Sequence, residues 1–232
     1  MSLSPQRNEG ELLLDGNFIS STYDMKKPKR FVLYLMAKRA TDIIGAAAGI
    51  ALLLPLFILI AILIKIEDPK GPIFFYQKRV GKNEKEFKMY KFRSMVTNAE
   101  ELLKELLDKN EISGAMFKMK EDPRITRIGR FIRKTSIDEL PQLWNVLKGD
   151  MSLVGPRPPL PREVEEYTKY DKKRLLVKPG CTGLWQVSGR NNLSFKQMVE
   201  LDIRYIQERS FVFDMKIILK TVKVLFGTND AF

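Results

Sequence analysis

The sequence has no histidine and a single cysteine, Cys181, among its 232 residues. The first absence removes imidazole general bases, Ser-His-Asp and Cys-His nucleophile pairs and His-ligated zinc. The second removes intramolecular disulfides and cysteine metal clusters, and matches a reducing compartment. Chemistry must therefore run on carboxylates, amines, guanidiniums, hydroxyls or a hard metal ion. Negative charge is also short: 40 Lys and Arg stand against 28 Asp and Glu, a net charge of +12. Such a surplus asks for an acidic partner, whether nucleic acid, a phosphorylated small molecule or anionic lipid. Internal repeats and low-complexity segments are absent too. With 44% hydrophobic and 29% charged residues, the composition is that of a folded protein.

One apolar run dominates what is present. Residues 1–25 are polar, lack the cationic-then-apolar order of a signal peptide, and read as a tail. Residues 26–66 combine a basic flank with a membrane helix: from Ile43 to Ile64, 22 residues carry no charge. As one helix this run is roughly 33 Å long, the thickness of a bilayer core. Pro55 at its middle predicts a kink, because it removes a helix hydrogen bond and clashes one turn back. Basic residues flank both ends, Lys26, Lys27, Lys29, Arg30, Lys38 and Arg39 before it and Lys65, Lys70, Lys78, Arg79 and Lys82 after it. The positive-inside bias then draws both ends to the cytoplasmic face. These features predict a re-entrant kinked helix rather than a straight span; a buried core helix fits less well because the run has no polar face.

Residues 67–232 read as a cytosolic domain, giving a helix-dominated α+β fold class. Turn residues between short β-rich runs predict a small hairpin or meander over 69–95. Helical periodicity returns at Asn98–Asp108 and Arg162–Tyr170, and Ser194 to Gln197 is a capping box opening a helix that runs to about Glu208. At the end of the chain Phe211, Met215, Ile218, Leu219, Val222, Leu225 and Phe226 form an apolar stripe, with Lys216, Lys220 and Lys223 on another face. Such an amphipathic helix suits either an anionic membrane surface or packing on the domain.

The residues fit for chemistry cluster in the middle. Arg124, Arg127, Arg130 and Arg133 recur every three residues, and arginine forks match phosphate oxygens. Next to them stands Asp138-Glu139. One carboxylate can attack phosphorus while the other holds a divalent cation, with helix-start N–H groups favouring the anion. Without histidine or available thiols that cation would be Mg²⁺. The alternative is structural: Ser136 to Glu139 fits a capping box, although Pro141 disfavours that register. Gly155-Pro156-Arg157-Pro158 presents Arg157 from a stiff backbone, or is an ordinary turn. The glycine-punctuated segment 178–190 can admit a ligand closely or simply make turns.

RKTSIDELPQLWNVLKGDMSLVGPRP, with KFRSM (91–95), EDPRITRIGRFIRK (121–134) and KPGCTGLWQVSGR (178–190), strongly resembles the bacterial sugar transferase family, the monotopic polyprenol-phosphate phosphoglycosyl transferases. The resemblance runs from about Lys38 to Phe226. It implies transfer of a sugar-1-phosphate, with glucose or galactose expected and N-acetylated hexoses next, from a UDP-sugar to undecaprenyl phosphate with release of UMP. The setting is exopolysaccharide, capsule or O-antigen assembly on the cytoplasmic face of the bacterial inner membrane. By the same resemblance Asp138 is the nucleophile of a covalent phosphosugar-aspartyl intermediate, Glu139 helps hold Mg²⁺, and Arg133 binds phosphate. Pro156, Arg157 and Pro158 form the nucleotide-binding turn. Lys91, Arg93, Asp122, Gln186 and Arg190 fall in shared motifs, and Leu54-Pro55 matches the family's membrane-helix break, with leucine where some members have serine. Anionic lipids are expected partners and nucleic acid is not; a homodimer is compatible with the larger relatives. Those relatives carry spans ahead of this region, so the chain reads as a compact member or a trimmed catalytic portion. A membrane-anchored polyanion-binding scaffold is the contrasting class; it would not need Asp138-Glu139 and would bind any polyanion with steep salt dependence.

Overall fold

The computed structural model describes residues 29–106, 119, 122–189 and 193–227. The predicted tail and Arg190 lie outside the described residues. The chain divides into two units, residues 1–38 and 39–232. The described part of the first, residues 29–38, is helical, with the Phe31 and Tyr34 rings 6.1 Å apart.

Helix α1 covers Lys29–Glu67, 39 residues, and is longer at both ends than the apolar run that announced it. It continues through Pro55 with no break in the helix, so the predicted break at Leu54-Pro55 is not an interruption of secondary structure. Only 11% of its most apolar window is buried, which sets aside the core-helix alternative. Leu52, Ile58, Leu59, Ile62 and Ile66 are exposed, an apolar surface suited to lipid. The part of α1 inside the second unit touches the domain in two places. Ala46 packs with Met89, Val146 and Met151, and Ile60 and Ile64 pack with Phe92 and Ile132.

The predicted hairpin forms. Strands β1 (Phe74–Val80) and β2 (Glu86–Phe92) pair antiparallel, Phe74 opposite Phe92 and Val80 opposite Glu86. Helix α2 (Ala99–Leu106) follows, then α3 (Arg127–Lys134) and α4 (Gln142–Lys148). Short strands β3 (Ser152–Val154) and β4 (Gly180–Thr182) pair in parallel, Ser152 with Gly180 and Val154 with Thr182. Between them α5 covers only Pro161–Glu165, not the predicted Arg162–Tyr170. The reason is local: the Asp171 carboxylate accepts from the Thr168 N–H and hydroxyl, closing a turn where the helix would have continued. Helix α6 (Phe195–Glu208) starts at the predicted capping box of Ser194 and Gln197.

Helix α7 (Phe211–Gly227) packs on the domain, the second of its two predicted roles, with a shifted stripe. Asp214 and Ile217 are buried, and Thr221 meets the Thr182 hydroxyl at 2.7 Å. The opposite side leaves Phe211, Val212, Leu219 and Val222 exposed, along with Lys216, Lys220 and Lys223.

Two charges read as membrane flanks, Arg39 and Lys65, also hydrogen-bond backbone carbonyls. Arg39 spans the end of α4, Nη1 donating to the Val146 carbonyl at 2.7 Å and Nη2 to that of Leu147 at 2.8 Å. Cations at a helix C-terminus are favoured. Three residues on, buried Asp42 accepts from the Ser152 hydroxyl at 2.9 Å and the Leu153 N–H at 2.8 Å. Lys65 donates to the Pro69 and Gly71 carbonyls. Glu67, the last residue of α1, accepts from the Arg127 and Ile128 N–H groups at the start of α3. In this way α1 holds the ends of α3, α4 and β3, three elements that flank the candidate site.

Candidate active site

Asp138 and Glu139 sit in one 3₁₀ turn, Ile137–Glu139, entered through Ser136 at φ 56°. A serine in the left-handed region costs about 1 kcal/mol and is found where surrounding contacts hold it. The capping-box alternative does not form: the Ser136 side chain caps nothing, and Glu139 turns toward Lys91. Four of the N–H groups at these helix starts already have backbone partners. Those of Glu139, Leu140, Leu143 and Trp144 are taken by the carbonyls of Ser136, Ile137, Leu140 and Pro141.

Lys91, on β2, faces the pair. Its Nζ lies 2.7 Å from Glu139 Oε1 and 3.8 Å from Asp138 Oδ2. Burial pushes the Asp138 carboxyl above the usual aspartate range, more than Lys91 and Arg133 draw it down. Burial would lift Glu139 as well, but Lys91 and Arg157, helped by Arg79, hold it at about 2. The neighbours are thus split into a fixed anion and a more basic carboxylate, the division expected of groups with different tasks.

Fully buried Asn145 of α4 sets the distance between these walls. Its Oδ1 accepts from the Tyr90 N–H at 3.0 Å, and its Nδ2 donates to the Lys88 carbonyl at 2.7 Å. The side chain therefore acts as one residue of a third strand along β2. It fixes the backbone on either side of Met89, two residues before Lys91, to the helix that follows Glu139.

The second wall comes from the β3–β4 pair. Arg157, Pro158, Glu139 and Gln186 line a small open cleft. Pro156 does not line it; its carbonyl accepts from the Gly180 N–H at 2.9 Å. The glycines of 178–190 serve this pairing. A Cβ on Gly180 would stand 2.1 Å from the Gly155 nitrogen, and one on Gly183 2.4 Å from the Gly155 oxygen. Their role is to bring two backbones together; neither of the two roles read from sequence, ligand access or simple turns, included this.

The remaining predicted residues divide. Arg133 has a buried Nη1 without a hydrogen-bond partner, and its charge bears on both Asp138 and Asp122. Asp122 itself grips Arg124, Oδ1 accepting from Nε at 2.9 Å and Oδ2 from Nη2 at 2.6 Å. Arg124 therefore leaves the predicted phosphate-facing row, in which Arg127 and Arg130 stay exposed. Arg93 is buried and bound to Asp68 just beyond α1, away from the cleft lining. Sequence reasoning missed Arg79, Met89, Gln142 and Cys181, which also line the cleft. Arg79 had been read as a flanking charge, and only its place inside β1 signalled otherwise. Burial pushes the Cys181 thiol up, which disfavours the thiolate that a nucleophile needs.

The carboxylate pair consists of hard oxygen donors, and Mg²⁺ takes one or two such groups together with substrate phosphates. Among the described residues no third acidic or thiol side chain joins them. The donor set fits, with Glu139 the group that stays ionised.

Comparison with known proteins follows this geometry. Residues 33–228 match the family described as bacterial sugar transferase. The galactosyl transferase CpsE of Streptococcus agalactiae is 54% identical over 210 residues, covering 90% of this chain and 46% of that protein. The undecaprenyl-phosphate galactose phosphotransferase of Salmonella typhimurium is 46% identical, covering 89% and 43%. The exopolysaccharide production protein ExoY of Rhizobium meliloti is 42% identical, covering 81% and 84%. The chain thus spans less than half the length of the first two and most of the third.

Proposed function

Because the chain belongs to the bacterial sugar transferase family, we propose that it moves a hexose-1-phosphate from a UDP-sugar to undecaprenyl phosphate and releases UMP. Galactose is the first sugar to test, since two relatives of 54% and 46% identity carry it in their names. Glucose and N-acetylgalactosamine, named in relatives at 40% identity, come next.

The observation that carries this reading is the buried Asp138, raised in basicity, beside the anionic Glu139 and facing Lys91 and Arg133. The Asp138 carboxylate attacks the phosphorus next to the sugar. A bond forms between its oxygen and that phosphorus while the bond to the UMP oxygen breaks. The lipid phosphate oxygen then attacks the same phosphorus, releasing Asp138 and completing the lipid pyrophosphate. Lys91 holds Glu139 and offsets charge near Asp138, Arg133 offers its unpartnered Nη1 to phosphate oxygens, and Arg157 faces the nucleotide side. Mg²⁺, held by Glu139, would supply charge neutralisation on the phosphates.

Membrane association follows from the family and from α1. A re-entrant course on the cytoplasmic face is the reading we favour: positions 39–49 and 56–67 of α1, which include both ends of the apolar run, bond or pack against the same domain. Cysteines introduced at Lys29 and Lys70 should then be labelled from the cytoplasm alone; labelling of one from each face would replace it by a span.

The direct test is UMP release from UDP-galactose, UDP-glucose and UDP-N-acetylgalactosamine with undecaprenyl phosphate, together with mass spectrometry of the Asp138 peptide during turnover. A hexose-phosphate adduct there is expected. Product formation without the adduct would remove the covalent step, and no UMP from any sugar would remove the reading.

A further inference from the structure

Among the described residues, four arginines are less than a tenth exposed: Arg79, Arg93, Arg124 and Arg174. Three of them pair with a carboxylate, Arg93 with Asp68, Arg124 with Asp122 and Arg174 with Asp202. Arg79 does not. Its Nη1 donates to the Pro158 carbonyl at 3.1 Å, its Nη2 to Gln77 Oε1 at 2.8 Å, and its Nε is buried without a partner. Both acceptors are neutral. The guanidinium lines the cleft together with that of Arg157, and Glu139 is the only acidic side chain in that lining.

We propose that Arg79 is a second phosphate-binding cation of this cleft, acting with Arg157 on the pyrophosphate of the nucleotide substrate. The inference rests on the reading above and extends it to a residue that neither the motifs nor the comparisons single out. A buried cation hydrogen-bonded only to neutral acceptors is compensated only at a distance, here by Glu163 and Glu139, which burial and the like charge of Arg157 outweigh. Burial first, then Arg157, hold the Arg79 guanidinium down to about 10, so it is still protonated at neutral pH. A phosphate entering between the two arginines supplies the missing negative charge, and binding then relieves a cost already present in the empty cleft. Through Nη1 the same side chain braces Pro158, so the cation that meets the phosphate also holds the turn presenting Arg157.

The test is thermal stabilisation of the purified full chain in nanodiscs by UMP, UDP, inorganic pyrophosphate and uridine. Arg79→Gln and Arg79→Met should lose at least tenfold in affinity for UMP, UDP and pyrophosphate, and Arg79→Lys less. Uridine binding, lacking phosphate, should be unchanged. Lys78→Gln, an exposed neighbour on β1, should match wild type throughout. Arg79→Gln binding UMP and pyrophosphate within twofold of wild type, but melting lower, would make Arg79 a brace only and overturn the proposal. Should the Arg79 variants fail to fold, Arg157→Gln decides: exposed Arg157 can be changed without unfolding, and residual pyrophosphate stabilisation is expected from Arg79. Its complete loss would also overturn the proposal. If wild type responds to pyrophosphate through Arg79 but to no uridine nucleotide, the anion site stands and the UDP-sugar reading falls.

Discussion

The Lys91 ammonium lies 2.7 Å from a Glu139 carboxylate oxygen, reaching it from β2 across 48 residues of sequence. That contact helps hold Glu139 as an anion and leaves Asp138, raised by burial, as the more basic carboxylate of the pair.

Acid pH should therefore switch the enzyme off through Asp138. Its folded value lies above that of an ordinary aspartate, so the ionised, attacking form is lost at a higher pH than usual. Lys91→Met removes a charge that favours ionisation, and the acid limb of kcat/KM for UMP release should move to higher pH. A limb that stays in place would mean another group controls it.

Asp138→Asn should separate activity from stability. UMP release should fall by at least 10³-fold, since no carboxylate remains to form the acyl-phosphate. The melting temperature should equal or exceed that of wild type. A carboxylate raised in the folded state weakens folding at pH above its unfolded value, and the neutral amide removes that penalty. A marked fall in Tm would show that ionised Asp138 holds the turn together.

Asn145→Leu should destabilise by about 1–3 kcal/mol, because the Tyr90 N–H and Lys88 carbonyl lose their buried partner. Since Asn145 ties β2 to α4, kcat should fall as well, with the acid limb moving in the same direction as for Lys91→Met. Denaturant titration and the pH profile check both; lost stability with a wild-type profile would confine Asn145 to folding.

The Arg39–Asp42 contacts predict a result that separates internal bonding from lipid contact. Asp42→Leu strands the Ser152 hydroxyl and Leu153 N–H and should cost about 1–3 kcal/mol, whereas Asp42→Asn keeps an acceptor and should cost less. Arg39→Lys, with a single ammonium, cannot span two carbonyls and should lose stability equally in neutral and anionic nanodiscs. Loss in anionic nanodiscs only would return Arg39 to a headgroup role.

Glu139→Gln should weaken the Mg²⁺ dependence of UMP release, seen as a right-shifted metal titration. An unchanged titration would free Glu139 from a ligand role.

The apolar helix, the hairpin, the capping box at Ser194 and the carboxylate pair were legible along the chain because each is a local pattern. Twenty-two uncharged residues, turn residues between β-rich runs, a Ser-x-x-Gln start and adjacent acids declare themselves without knowledge of what lies opposite. Charge was read least well, since its meaning depends on the partner. Arg39, Arg79 and Arg124 look alike in sequence, yet one spans helix-end carbonyls, one lines the cleft unpaired and one is locked by Asp122. The glycines at 155, 180 and 183 could not be explained until the two backbones they join were seen side by side. Local patterning thus determined which segments become apolar helix, hairpin and acidic turn. Only the tertiary structure decided which charges meet, because an ionised group's basicity and use depend on burial and neighbours that the order of residues does not contain.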